Sequence, residues 1–185
     1  MIILAIDPNV HDTGWCLYDT ETEKKAAGTL RSPKNVLKRE VEEAKSEAAD
    51  VFGLGLDKIE RDGKVSYERG EALRMRMQRK QIEEAIEAFG IIQPHVDVAV
   101  IEDVYMKHNP KVPITIRGFA AFIVGGLVRD IVYMSASTWR ARLFKTNRRE
   151  DKKTKAAASR WLGRDTETID EATAACIMMA YLQEA

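Results

Sequence analysis

The chain opens on a conflict that any fold for it must resolve. Residues 2–6, Ile-Ile-Leu-Ala-Ile, form a continuous apolar run of strand length, the pattern of a strand covered on both faces. Asp7 then follows at the point where burial should continue. An unpaired carboxylate in an apolar interior costs several kcal/mol or takes up a proton to become neutral. Either a turn or helix cap holds Asp7, or a cation compensates it.

Turn residues Pro8, Asn9 and Gly14 follow this strand; residues 14–19 read as a second strand leading into a hairpin, and residues 28–31 end a third. Ser32-Pro33 opens a helical pattern in which Leu37, Val41, Ala44, Ala48 and Val51 recur at helical steps. Residues 53–64 hold three glycines among alternating charges and read as a loop. A basic helix is expected over about 69–89, closed by Gly90. "HVDVAVIEDV" gives another strand whose apolar run ends in carboxylates, Glu102 and Asp103, which should point to opposite sides of the sheet. A proline-punctuated loop over 105–113, a helix over 114–128 rich in alanine and glycine, a short strand over 131–134 and helices over 152–162 and 169–182 complete the chain. A three-strand antiparallel meander followed by alternating helices and strands predicts an α/β domain with a mixed central sheet flanked by helices. In such sheets ligands bind beyond the carboxyl ends of the strands, where Asp7 and Glu102 both sit.

The last helix adds to this address. Glu167 and Asp170 are three residues apart, one helical turn, and Asp170 leads into the apolar run "ATAACIMMAYL" that should pack on the sheet. Asp7, Glu102, Asp170 and Glu167 are thereby expected to converge from separate parts of the chain. Crowded carboxylates repel unless cations hold them, and such hard oxygen ligands suit Mg²⁺, with Mn²⁺ as a substitute. Two such ions about 3.5–4 Å apart clamp the attacking and leaving oxygens of a phosphodiester. The plainer alternatives are that Asp170 only caps the last helix and that Glu167 is a solvated loop residue.

Composition narrows the class without naming it. The 185 residues suit one domain with a full core, and 29 basic against 29 acidic residues give no overall charge, so a nucleic-acid partner must be argued from local clusters. Two distant cysteines, Cys16 and Cys176, form no zinc pattern or disulfide framework and fit free thiols in a reducing cytoplasm. The opening apolar run is too short for a signal peptide and no stretch is long enough for a membrane span.

The combined pattern is familiar. "ILAIDPNVHDTGW" resembles the opening strand of RuvC-type Holliday junction resolvases; "VAVIEDVYMKHNP" is similar to their second acidic strand and the aromatic-bearing loop after it; "KKTKAAASRWLGRDTETIDEATAACIMMAYL" resembles their closing helices with the acid-x-x-Asp spacing. The resemblance implies a single RuvC-like nuclease domain over 1–185 with an RNase H-like fold and an insertion at about 32–68. It further implies a homodimer and Mg²⁺-dependent nicking of four-way DNA junctions that leaves 5′-phosphate and 3′-hydroxyl ends. Compact, divergent members of this kind occur in bacteriophages, which would act in the host cytoplasm. Two departures stand out: Asn9 replaces the usual glycine, and Glu167 replaces an acid more often aspartate.

Between positions 140 and 160 nine lysines and arginines, including Arg140, Arg148, Arg149, Lys152, Lys153 and Lys155, face only Glu150 and Asp151. That density suits a phosphate backbone, although a solvated helix face has the same composition. A second basic stretch, Arg69, Arg74, Arg76, Arg79 and Lys80, is more ambiguous. Tyr105, with Lys107 close by, follows Glu102 closely enough to meet DNA at the same site, unless it merely packs on the sheet edge. Ala120, Ala121, Gly125 and Gly126 mark the 114–128 helix as a candidate dimer interface, or as an ordinary buried helix. Competing functions are a sugar-kinase or actin-like phosphotransferase, an RNase H-like nuclease for other branched DNA or RNA, and a non-catalytic DNA-binding module. The phosphotransferase needs two such domains and a Gly-Thr-Thr run, which "DPNVHDTG" lacks.

Overall fold

The computed structural model describes residues 1–9, 12–31, 67–91, 96–103 and 111–184. The expected helix within 33–51 and the loop over 53–64 lie outside these residues. The described elements are β1 (Ile2–Asp7), β2 (Asp12–Asp19), β3 (Lys25–Arg31), α1 (Tyr67–Phe89), β4 (Val96–Asp103), α2 (Lys111–Val124), β5 (Val128–Ser135), α3 (Ala136–Phe144), α4 (Asp151–Leu162) and α5 (Ile169–Leu182). They build one five-stranded sheet in the order β3-β2-β1-β4-β5. β1, β2 and β3 form the antiparallel meander, while β4 runs parallel to β1 and β5 parallel to β4. This is the mixed α/β sheet expected of the sequence, flanked by five described helices.

The apolar runs of β1 and β4 follow from cover on both faces. Leu4, Ile6, Ala99 and Ile101 pack with Ile82, Ile86, Phe119 and Ile123 of α1 and α2. Ile3, Ala5 and Val100 point the other way, into a cluster with Trp139, Ala158 and the buried residues of α5. Every residue of α5 from Glu171 to Met178 is buried. Its small side chains, Ala172, Ala174 and Ala175, let the helix lie close on the sheet. Cys16 and Cys176 are free and buried in this layer.

Two elements differ from expectation. No sequence pattern announces helix α3, which starts directly at the end of β5, capped by the Ser135 side chain; this accepts from the Thr138 backbone N–H at 3.1 Å. Helix α2 runs from Lys111 to Val124, earlier than expected at both ends. Pro113 is tolerated in its first turn, where no intrahelical partner for the N–H is needed, and Gly126 at φ +73 turns the chain into β5. Of the residues named for a dimer contact, Ala120 is buried in the core, Ala121 and Gly125 are half-buried and Gly126 is exposed. Arg79 serves the fold. Its guanidinium donates to the Phe122 and Gly125 carbonyls at 2.9 and 2.7 Å, closing the C-terminus of α2, and pairs with Glu83.

Candidate active site

Alternation along β1 and β4 decides which acids meet. Asp7 continues the Ile3–Ala5 side of β1 and Glu102 the Val100 side of β4, so both emerge on the α5 face. In the parallel ladder Ile6 is partnered with Ile101, so the next residues, Asp7 and Glu102, are neighbours at the carboxyl ends of adjacent strands. Asp103 points the other way, where its Oδ1 accepts from Arg117 Nε and Nη2 at 2.8 and 2.6 Å, as the alternation requires.

The first turn of α5 brings Asp170 to the same place. Thr168 is the N-cap, its hydroxyl accepting from the Glu171 N–H at 3.0 Å, so Asp170 lies within the helix and does not cap it. The approach is close because β2 carries Gly14, paired with Asp7 in the sheet, beneath this turn. A Cβ at Gly14 would overlap the Asp170 carbonyl group. Asp7, Glu102 and Asp170 thereby line one polar recess of about 160 Å³, together with Asn9, Trp139, Arg140, Arg149, Asp151, Thr154 and Thr173.

The electrostatics are those of charges held together against repulsion. Burial raises the Asp7 carboxyl well above the usual carboxylate range; the Glu102 charge and a hydrogen bond to it add to this, as does Asp170, while a hydrogen bond with Thr173 opposes them. Asp170 is raised by burial and then by the charge of Asp12, with Arg149 acting against both. Arg149 in turn donates to Asp151 at 2.7 Å and feels the fields of Asp7 and Asp170. Glu102 is further bound by Trp139, whose indole N–H donates to its Oε1 at 3.0 Å.

Glu167 is not brought into this recess. It precedes the N-cap and so shares no helical face with Asp170; its carboxylate instead accepts from Arg31 Nη2 at 3.1 Å in an exposed pair. Glu171, buried within α5, is turned away as well. It accepts from Arg164 and from the Glu167 backbone N–H, at 2.5 and 2.7 Å, and holds the entry to the helix. Residues the sequence does not single out complete the site: Trp139, Asp151, Thr173 and the neighbouring Asp12. Asp12 lies within the "DPNVHDTGW" block, but nothing in its spacing ties it to Asp170.

A basic rim adjoins the acids. Arg149 and Asp151 line both the recess and a second, shallower one shared with Glu150, Lys152 and Lys153. Arg148, Lys152 and Lys155 are exposed, and Lys153 pairs with Glu150 at 2.7 Å. Arg142, from the same tract, instead ties α3 to the end of α5 through Glu184 and the Ala180 carbonyl. Tyr105 and Lys107 lie outside the described residues.

The donor set of Asp7, Glu102 and Asp170 consists of hard oxygens, the type that Mg²⁺ and Mn²⁺ select. Their mutual repulsion, with Asp7 half-buried at the end of β1, is the electrostatic condition a divalent cation relieves. Among the described residues, no three acidic, histidine or cysteine side chains already stand as a complete ligand set.

Two solved structures share this architecture over nearly the full chain. Thermus thermophilus RuvC matches with a TM-score of 0.55 at 13% identity, covering 98% of this chain and 93% of that one. T. thermophilus RuvC in complex with a Holliday junction substrate matches with a TM-score of 0.59 at 10% identity, covering 100% and 97%. No protein-family model matches the chain, and no curated protein does. The likeness is one of fold: the sheet and its helices are RuvC-like, the RNase H-like arrangement expected from the sequence. No helix among the described residues is long and apolar enough to cross a membrane.

Proposed function

We propose that the protein is a structure-selective endonuclease that nicks four-way DNA junctions symmetrically, leaving 5′-phosphate and 3′-hydroxyl ends. The observation that carries this reading is the convergence of Asp7, Glu102 and Asp170 on one recess in a fold shared with a RuvC captured on a Holliday junction. Asp7, Glu102 and Asp170 are the residues that would hold Mg²⁺, one ion or two. Bound there, the metal supplies charge stabilisation and an activated water for phosphodiester hydrolysis. The chain's own part is to hold these carboxylates in register. β1 and β4 fix Asp7 and Glu102 side by side, Thr173 favours the charged form of Asp7, Trp139 anchors one oxygen of Glu102, and the first turn of α5 sets Asp170 across from them.

Arg140, Arg148, Arg149, Lys152, Lys153 and Lys155 form the phosphate-binding rim, and Tyr105 and Lys107, which follow Glu102 closely in sequence, add to the DNA contacts. Resolving a junction without loose ends needs two matched cuts, so the reading includes a homodimer with two active sites related by a two-fold axis. Labelled four-way junction, linear duplex and RNA–DNA hybrid, each with and without Mg²⁺, test this directly. The expected result is Mg²⁺-dependent, symmetrically placed nicks in the junction alone. Cleavage confined to the hybrid would favour the RNase H-type alternative, and binding without any cleavage would favour the non-catalytic module.

The rim gives a separate expectation. Lys152→Ala combined with Lys153→Ala should weaken binding on junctions of every sequence alike, because phosphate contacts carry no base information. The slope of log affinity against log salt should fall in magnitude by about two, one for each lysine–phosphate pair removed. An unchanged slope, measured by anisotropy across a salt series, would remove these lysines from the interface.

A further inference from the structure

Trp139 joins three observations that packing alone does not need. Its ring is 1% exposed, yet its one polar atom is turned out of the core and donates to Glu102 Oε1 at 3.0 Å. It also lines the recess together with Asp7 and Asp170. The ring itself is clamped, edge-on to Phe144 at 6.2 Å and beneath the Arg140 guanidinium at 4.8 Å. Glutamate has one more rotatable bond than aspartate, so Glu102 is the carboxylate in this site with the most freedom to stray from a productive position. A rigid indole donor at hydrogen-bonding distance removes that freedom.

We propose that Trp139 is a positioning residue for the metal site, holding the Glu102 carboxylate in a ligand-ready orientation through its indole N–H. The inference rests on the metal-binding reading above and deepens it. Partners that orient a ligating carboxylate are worth about 10–100-fold in metal affinity when removed. Arg140, stacked on the same ring, couples the phosphate-binding rim to this anchor. A phosphate that draws Arg140 therefore acts on a ring already tied to Glu102.

Trp139→Phe keeps an aromatic ring in the core and deletes the donor. Calorimetric titration of Mn²⁺ in the absence of DNA should show binding to the parent protein and about 10–100-fold weaker binding to the variant. The thermal midpoint should stay within a few degrees, and raising Mg²⁺ should restore cleavage, which a purely structural defect would not allow. A second readout uses the parent alone. Its three tryptophans give three indole N–H signals in a nitrogen–proton correlation spectrum, and Trp139 is assigned by elimination using Trp15→Phe and Trp161→Phe. That signal should shift on Mg²⁺ addition with the midpoint found for cleavage. Equal Mn²⁺ affinity in parent and variant, or a Trp139 signal unmoved by Mg²⁺ that the parent demonstrably binds, overturns the positioning role and leaves the metal site standing. A parent that binds no Mn²⁺ overturns both. If the variant fails to fold, the parent's indole signal decides.

Discussion

Asp7→Asn should abolish cleavage and at the same time make the metal-free protein more stable. The substitution keeps the shape of the side chain, and its amide can donate to Glu102 where an ionised Asp7 can only repel it. Loss of this ligand should reduce the rate at least a thousand-fold, which corresponds to about 4 kcal/mol of transition-state stabilisation. The stability effect follows from the direction of the Asp7 shift, caused first by burial and then by Glu102. Its folded carboxyl holds a proton to higher pH than the unfolded one. From the ordinary carboxylate value of about 4 up to the raised folded value, the native state binds more protons, so stability falls as pH rises through that window. Without metal, the parent should therefore lose thermal stability on going from about pH 4 to neutrality, and Asp7→Asn should lose less. At pH 7 the variant should melt a few degrees higher, the shift that about 1 kcal/mol gives in a chain of this size. Mg²⁺ should raise the melting point of the parent only. Junction binding by the variant should be retained, since one charge facing the phosphates is gone. Undiminished cleavage by Asp7→Asn would refute the carboxylate site, and a lower metal-free melting point would refute the electrostatic account of it.

Gly14→Ala should damage the site from underneath. The new methyl group would overlap the Asp170 carbonyl group and stand 2.9 Å from the Glu171 backbone nitrogen, all main-chain atoms. None of them can rotate away, so the first turn of α5 must lift from β2 by more than about 1 Å to reach ordinary contact distance. A displacement of that size is worth about 100-fold in rate when it misplaces a reacting constellation. Overpacking should cost a further ~1–3 kcal/mol in stability. Gly28→Ala is the control. There the nearest atoms to the new Cβ belong to the Trp15 ring, at 3.0–3.1 Å, and a side chain can give way by a few tenths of an ångström. Comparable losses of cleavage in the two variants would show that the approach at Gly14 does not set the position of Asp170.

Much of this site is legible in the sequence because two simple periods act on it. The strand period of two places Asp7 and Glu102 on one face and sends Asp103 to the other, where Arg117 meets it. The length of the apolar run in α5 shows which helix must press on the sheet, and so where Asp170 arrives. Glu167 shows the limit of such reasoning. Spacing by one turn implies a shared face only if both residues are helical, and Thr168, by capping the helix, leaves Glu167 outside it. The carboxylate then pairs with Arg31, 136 residues away in sequence, a partner that no local pattern reveals. Trp139 is hidden for a related reason. Its hydrogen bond to Glu102 depends on how two strands and a helix are arranged, and composition alone marks it only as an aromatic residue.

Fold boundaries are legible where the sequence carries punctuation. Asp7-Pro8 ends β1, and Gly163 at φ +72 ends α4. Helix α3 leaves little trace because it is short and only Trp139 among its residues is buried, so no apolar stripe emerges. The signal present is the Ser135 cap, three residues before Thr138, at a place where the strand pattern has not yet ended. In the basic tract, charge density suggests a surface, but Arg79 and Arg142 show that an arginine in a run can be committed to closing a helix or joining two.

The direct passage from β5 into α3 has a consequence for how this chain can change over time. Strand and helix meet at Ser135 and Ala136 with no intervening residue. The angular position of Trp139 is therefore counted out from the strand, with no slack to absorb an error. One residue inserted there would turn the indole by about 100° around the helix axis and carry it away from Glu102. Side chains along this junction are free to drift wherever they do not touch the site, but its length is not. Insertions should accumulate in stretches such as 32–68 and be excluded from the short run between Ser135 and Trp139, so that spacing outlasts identity as the mark of common descent.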